Sequence, residues 1–151
     1  MDYQIKVESV QEQQAAAVVK RVPVAEVGAF IGEAFGLVLA ALREQQVEVS
    51  GPPFARYQML GDSFEVTAGF PVANPIKPTE RVAAVALPAC SVATTVHVGP
   101  YSAVNLAYNA IMAWLPKHDL QASGDPWEVY LDDPEVEAPR TIVRVPCRRV
   151  A

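Results

Sequence analysis

An internal repeat constrains this chain more than any other feature. Adding 73 to Phe35, Val38, Leu42, Val47, Ser50, Gly51, Pro53, Phe54 and Tyr57 gives Tyr108, Ile111, Leu115, Leu120, Ser123, Gly124, Pro126, Trp127 and Tyr130, nine like-for-like pairs in one register. Upstream, Val22-Pro23-Val24 lies against Gly99-Pro100-Tyr101 at an offset of 77, so the first half carries four extra residues (77 − 73), about one helical turn. Each half reads as strand, helix, strand, strand. Two such halves, about residues 1–73 and 81–151, pairing edge to edge predict an α+β fold with pseudo-twofold symmetry, in which one curved, mainly antiparallel sheet is backed by two helices.

Hydrophobic periodicity places the elements. Tyr3, Ile5 and Val7 alternate with Gln4, Lys6 and Glu8, the period of a half-buried strand, and Ala15 to Val22 follows as a second. Val27, Phe30, Ile31, Ala34, Phe35, Val38 and Leu42 recur at three- and four-residue steps, which makes Val24 to Gln46 an amphipathic helix stopped by Gly51-Pro52-Pro53. Phe54 to Leu60 and Phe64 to Phe70 form a hairpin about Gly61-Asp62, and the proline-rich Pro71 to Thr79 reads as the linker between halves. The second half has strands near Arg81 to Ala86 and Val92 to Val98, a helix from Tyr101 to about Leu115 ended by Pro116, and strands at Trp127 to Leu131 and Arg140 to Cys147.

Composition narrows the function. The 151 residues are 51% hydrophobic and 19% charged, enough for one domain spanning residues 1–151 with a packed core and no need of a metal or disulfide. A net charge of −5 is the wrong sign for phosphate backbones, so nucleic acid is not expected as a direct partner. Cys90 and Cys147 show no metal-ligand spacing and read as reduced thiols of an intracellular protein. The N-terminus lacks a secretory pattern, and the most apolar stretch, Val27 to Leu42, carries Glu33 and falls short of the roughly 20 residues of a membrane span, so the expectation is a cytoplasmic protein with no membrane partner. His97 and His118 have no acidic or cysteine partner at metal or triad spacing, and no glycine-rich loop marks a nucleotide site; neither metal nor cofactor is expected.

The cleft between two such repeats is the natural place for a concave site. In Trp127-Glu128-Val129-Tyr130-Leu131-Asp132 the odd positions form an apolar face, expected to be core, and Glu128, Tyr130 and Asp132 share the other. The 73 offset puts Ala55, Tyr57 and Met59 on the matching face of the first half. The plain alternative is that this second face meets water, as in any two-layer sheet. Tyr108 and Tyr101 complete the candidate contacts; by spacing alone Tyr108 is as well explained as core, and Tyr101 is open.

The run Thr95-Val96-His97-Val98-Gly99-Pro100-Tyr101, the run from Gly124-Asp125-Pro126-Trp127-Glu128 through Tyr130 to Asp132-Asp133-Pro134, and Phe64 to Val72 together resemble the GyrI-like effector-binding domain. The resemblance implies two strand-helix-strand-strand repeats with a ligand groove between them, as in the drug-sensing domains of MerR-type and AraC-type regulators. It further implies that Glu128 meets lipophilic, often cationic aromatic compounds with aromatic rings about it. Three functions follow as expectations. The first is a stand-alone small-molecule binding domain using Glu128, Tyr130, Tyr57, Ala55, Met59, Tyr108 and Tyr101. The second is a hydrolase of cyclopropanoid compounds with Glu128 as base and Tyr130 or Tyr57 as proton donor. The third is a gyrase-inhibitor-like protein that binds a protein partner. The acidic run Asp132 to Glu137 reads as a solvated loop.

Overall fold

In a computed structural model of the chain, residues 3–133 and 135–150 are described. Along the chain run β1 (Lys6–Val10), β2 (Gln13–Pro23), α1 (Val27–Gln45), β3 (Phe54–Leu60), β4 (Ser63–Pro71), β5 (Ala83–Leu87), β6 (Cys90–Val98), α2 (Asn105–Trp114), β7 (Leu120–Ala122), β8 (Trp127–Tyr130) and β9 (Arg140–Arg149). Short 3-10 turns precede both helices and follow the second. Every strand pairing is antiparallel within two compact units. The first unit is Glu12–Pro88; the second joins the residues up to Gln11 to those from Ala89 onward.

In the first unit β2 is central, with β4 and β5 on its two sides and β3 outside β4. The alanine run Ala15, Ala16 and Ala17 is almost wholly buried there. Gly69 lets β4 close on it: a Cβ at that position would stand 1.9 Å from the Ala16 carbonyl oxygen. The β3–β4 hairpin turns at Gly61, whose φ of +70° suits glycine. Helix α1 buries Phe30, Ala34, Val38, Ala41 and Leu42, one stripe at helical spacing, and ends with Gln46 in the left-handed region. With its leading 3-10 turn it covers 22 residues and is long and apolar enough by composition to cross a membrane, contrary to the expectation that it falls short. Of its apolar 18-residue window, 22% is buried against the rest of the chain.

In the second unit β6 and β9 are central, with β1 on the far side of β6 and both β8 and β7 on β9. Ala107, Ile111 and Leu115 of the α2 stretch pack on Ala93, Val143, Val145 and Cys147. Of these, Ile111, Leu115, Val143 and Val145 each contribute about 1.5–3 kcal/mol when fully buried. After Pro116 the chain turns at Asp119, also left-handed (φ 58°), into β7, a strand that the sequence reading did not anticipate.

The strand orders match: β5-β2-β4-β3 in the first unit and β1-β6-β9-β8 in the second. Pro23 and Pro100, both extended (φ −62°, ψ 151° and φ −63°, ψ 143°), lead into the 3-10 turns before their helices, as the offset of 77 requires. The same offset carries β5 onto β1 (83 − 77 = 6, 87 − 77 = 10), so the opening strand of each repeat pairs with the second strand of the other. The stretch Pro71 to Thr79 runs from the last strand of the first repeat, β4, toward the opening strand of the second, β5. That segment lies inside the first unit, with Ile76 buried and the Lys77 backbone bonded through both N–H and carbonyl to the Gln45 amide. Cys90 and Cys147 form no disulfide with each other, and Cys147 is buried.

Candidate functional site

The site is built on β8 and its neighbours. Residues directly opposite one another in an antiparallel pair share a face. Glu128 is paired with Val143, a residue that α2 covers, and Tyr130 with Thr141. Glu128 and Tyr130 therefore lie on the helix side, and Trp127 and Val129 on the other. Both sides are closed: Trp127 is 1% exposed, Val129 8% and Glu128 7%. The alternative in which this face meets water is overturned at Glu128, and Trp127 and Val129 are core as expected.

Two phenols hold the buried carboxyl. Tyr108, from α2, donates to Oε2 at 2.6 Å, and Tyr130 donates to Oε1 at 2.9 Å. Tyr108 reaches it because it stands one residue beyond Ala107 on the helix, beside the stripe that packs on the sheet. Burial pushes the Glu128 carboxyl above its ordinary range; the two phenol hydrogen bonds and the field of His97 oppose the rise. Among the described residues no Lys, Arg or His lies within ion-pair distance of it. A carboxylate so placed has no ion-pair partner among the described residues.

Tyr101 continues the aromatic wall. Its ring meets Tyr130 edge-on at 5.4 Å, and its hydroxyl donates to the Asp132 carbonyl at 2.9 Å. Burial, with the nearby acids, raises the Tyr101 hydroxyl above its usual pKa. His97, 1% exposed, anchors the turn from which Tyr101 springs: Nε2–H donates to the Pro100 carbonyl at 3.0 Å, and in the neutral ring Nδ1 then accepts from the Tyr3 hydroxyl at 2.8 Å. His97 thus has a structural role, and its Tyr3 contact had no sequence signal. Thr141, fully buried under the wall, was also missed; its only mark was alternation along β9.

Asp132 does not join Glu128; its carboxylate takes Arg140 at 2.8 Å and 3.1 Å, and that contact holds its pKa below the usual carboxylate range. Beyond it, Asp133 and residues 135–138 are an exposed turn, as expected of a solvated loop, and Pro134 lies outside the described residues. Ala55, Tyr57 and Met59 stand on β3 in the first unit: Ala55 is wholly buried, Tyr57 packs edge-on against Phe64 at 5.8 Å, and Met59 is 72% exposed. His118 is exposed and stacked on Trp114. No group of three metal-ligating side chains is present among the described residues.

The sequence profile of the GyrI-like small molecule binding domain matches residues 3–146. The chain belongs to the GyrI-like family. Solved structures agree on the fold of this GyrI-like chain. The C-terminal domain of EcmrR superposes with a TM-score of 0.86 at 18% identity, covering 99% of this chain and 100% of that one. In the cryo-EM structure of the EcmrR–DNA complex the matching chain is longer, and this chain covers 58% of it. SAV2435 bound to tetraphenylphosphonium gives a TM-score of 0.63 at 12% identity, covering 98% and 94%. A hydrolase from Listeria innocua gives 0.64 at 15%, covering 96% and 92%. No curated protein sequence matches the chain.

Proposed function

We propose that this GyrI-like domain binds lipophilic, cationic aromatic molecules at Glu128, in the cytoplasm, without direct contact to nucleic acid. One observation carries the reading: a 7%-exposed carboxylate held by two phenols, with no cationic side chain against it among the described residues. A bound cation supplies the missing charge without the desolvation cost of a buried lysine or arginine. The rings of Tyr101, Tyr108 and Tyr130 add cation–π attraction of about 0.5–2 kcal/mol each, with little demand on ligand shape. The tetraphenylphosphonium complex of SAV2435 shows that a chain of this fold takes such a cation. Titration with tetraphenylphosphonium tests the reading. Glu128→Gln should lose about 1–3 kcal/mol of affinity, and tetraphenylborate, nearly the same shape with the opposite charge, should bind far more weakly. Equal affinity of wild type and variant would remove Glu128 from the account.

The raised Glu128 pKa favours a second reading, in which the carboxylate takes a proton from water, the water oxygen bonds to a cyclopropane carbon as a ring C–C bond breaks, and Tyr130 protonates the group that receives the electron pair of that bond. In that case Glu128→Gln lowers the rate about 10²–10⁴-fold while binding falls much less. Mass spectrometry of a cyclopropane-bearing alkylator incubated with the protein decides it: no acceleration over buffer leaves a binding domain only.

A further inference from the structure

A cavity of about 300 Å³ lies in the second unit away from Glu128, between the ends of β1, β6 and β9 and the turn after α2. Val7, Leu120 and Cys147 give it an apolar surface, and Ser91, His118 and Arg149 line it as well. It is a separate place. The Glu128 row crosses β6 and β9 at Thr95 and Val143, four residues from Ser91 (95 − 91) and Cys147 (147 − 143), or about 13 Å along the strands. The volume is at the small end of ligand pockets.

The chemistry of this pocket is opposite to that at Glu128. Arg148, also on the lining, and Arg149 have no ion pair among the described residues, and Lys117 precedes His118. Two acids are nearby in the chain. Asp119 follows His118, and Glu8, beside Val7, is already bridged to Lys6 at 3.0 Å. Three uncommitted cations thus stand against one uncommitted acid, in a chain whose net charge is −5. The His118 ring is fixed as a wall by stacking on Trp114 at 3.8 Å, with Nδ1–H donating to the Trp114 carbonyl at 3.0 Å. Burial raises the Cys147 thiol pKa, so this side chain is an apolar floor and not a nucleophile.

We propose that this pocket binds a small organic anion, with a one-ring apolar body on Val7, Leu120 and Cys147 and its carboxylate or phosphate held by Arg149 and the Ser91 hydroxyl. A planar guanidinium takes either oxyanion through paired N–H donors. The inference does not depend on the Glu128 reading.

The ¹⁵N-labelled full chain, titrated at constant ionic strength with benzoate, phenyl phosphate and inorganic phosphate, tests it. Saturable shifts of the Ser91, Leu120 and Arg149 amides with either organic anion are expected, and the stronger of the two identifies the headgroup. Arg149→Gln, a change at the exposed end of a strand, should weaken that binding at least about tenfold with an unchanged Tm. Absence of saturation, undiminished binding by Arg149→Gln, or inorganic phosphate matching phenyl phosphate would each overturn the proposal, the last by leaving surface charge alone.

Discussion

The two units share a strand order and a helix position but differ where the second is most polar. Subtracting 73 from Glu128, Tyr108 and Tyr130 gives Ala55, Phe35 and Tyr57; subtracting 77 from Tyr101 gives Val24. The rows crossing the strands differ in the same way: Glu128–Val143 and Tyr130–Thr141 in one unit, Ala55–Ala68 and Tyr57–Val66 in the other. The carboxylate and the Tyr108 phenol are present together in one copy and absent together in the other. The buried acid stands only in the copy that supplies both of its donors, and those hydrogen bonds offset its loss of water.

The most severe way to break the comparison is to put the acid on the wrong copy. Ala55→Glu should cost about 3–5 kcal/mol in urea denaturation, because Ala55 is wholly buried and an uncompensated charge there has no phenol from Phe35. A loss below about 1 kcal/mol would show that the first unit also supplies donors. Next comes removal of a donor from the right copy. Tyr108→Phe should cost about 1.5–3 kcal/mol, the range for hydrogen bonds to charged groups, and Tyr130→Phe less, as its bond is longer (2.9 Å against 2.6 Å). Equal costs would mean that the two phenols share the charge evenly.

The smallest effect is a pH dependence. The Glu128 pKa is raised in the folded chain above its model-compound value of 4.5, so the stability linked to its protonation is fully present below 4.5 and is lost as pH rises through the folded value. Glu128→Gln removes this dependence. The difference in stability between variant and wild type should move in favour of the variant as pH rises from about 4 to about 7; a difference that stays flat would place the carboxyl in a well-solvated setting.

Much of the scaffold was legible because its signals are local. The β3–β4 hairpin and α1 fall where alternation, helical spacing and Gly61-Asp62 put them. What periodicity could not give was partner choice. β1 alternates like any half-buried strand, and nothing within it says that it belongs to β6 rather than to β2. The same limit hid half of the site. Alternation separated Glu128 and Tyr130 from Trp127 and Val129 correctly, but which face receives the helix depends on β9, through Val143, and both faces are buried. The carboxyl's partner on α2 was visible only as the offset match of Phe35 and Tyr108, a pair that spacing reads equally well as core.

The exchange of opening strands sets an order of assembly. All of Glu12–Pro88 is contiguous, and its edge strand β5 follows directly, so the first unit can close as soon as its last residue leaves the ribosome. The second cannot: Lys6 must wait for Thr94, 88 residues later (94 − 6), and contacts that distant are slow to form because a long loop must be closed first. During that interval β1 is an unpaired edge carrying Lys6 and Glu8, charges of the kind that discourage a strand from pairing with the wrong neighbour. The copy that holds the buried carboxylate is thus the last to be completed.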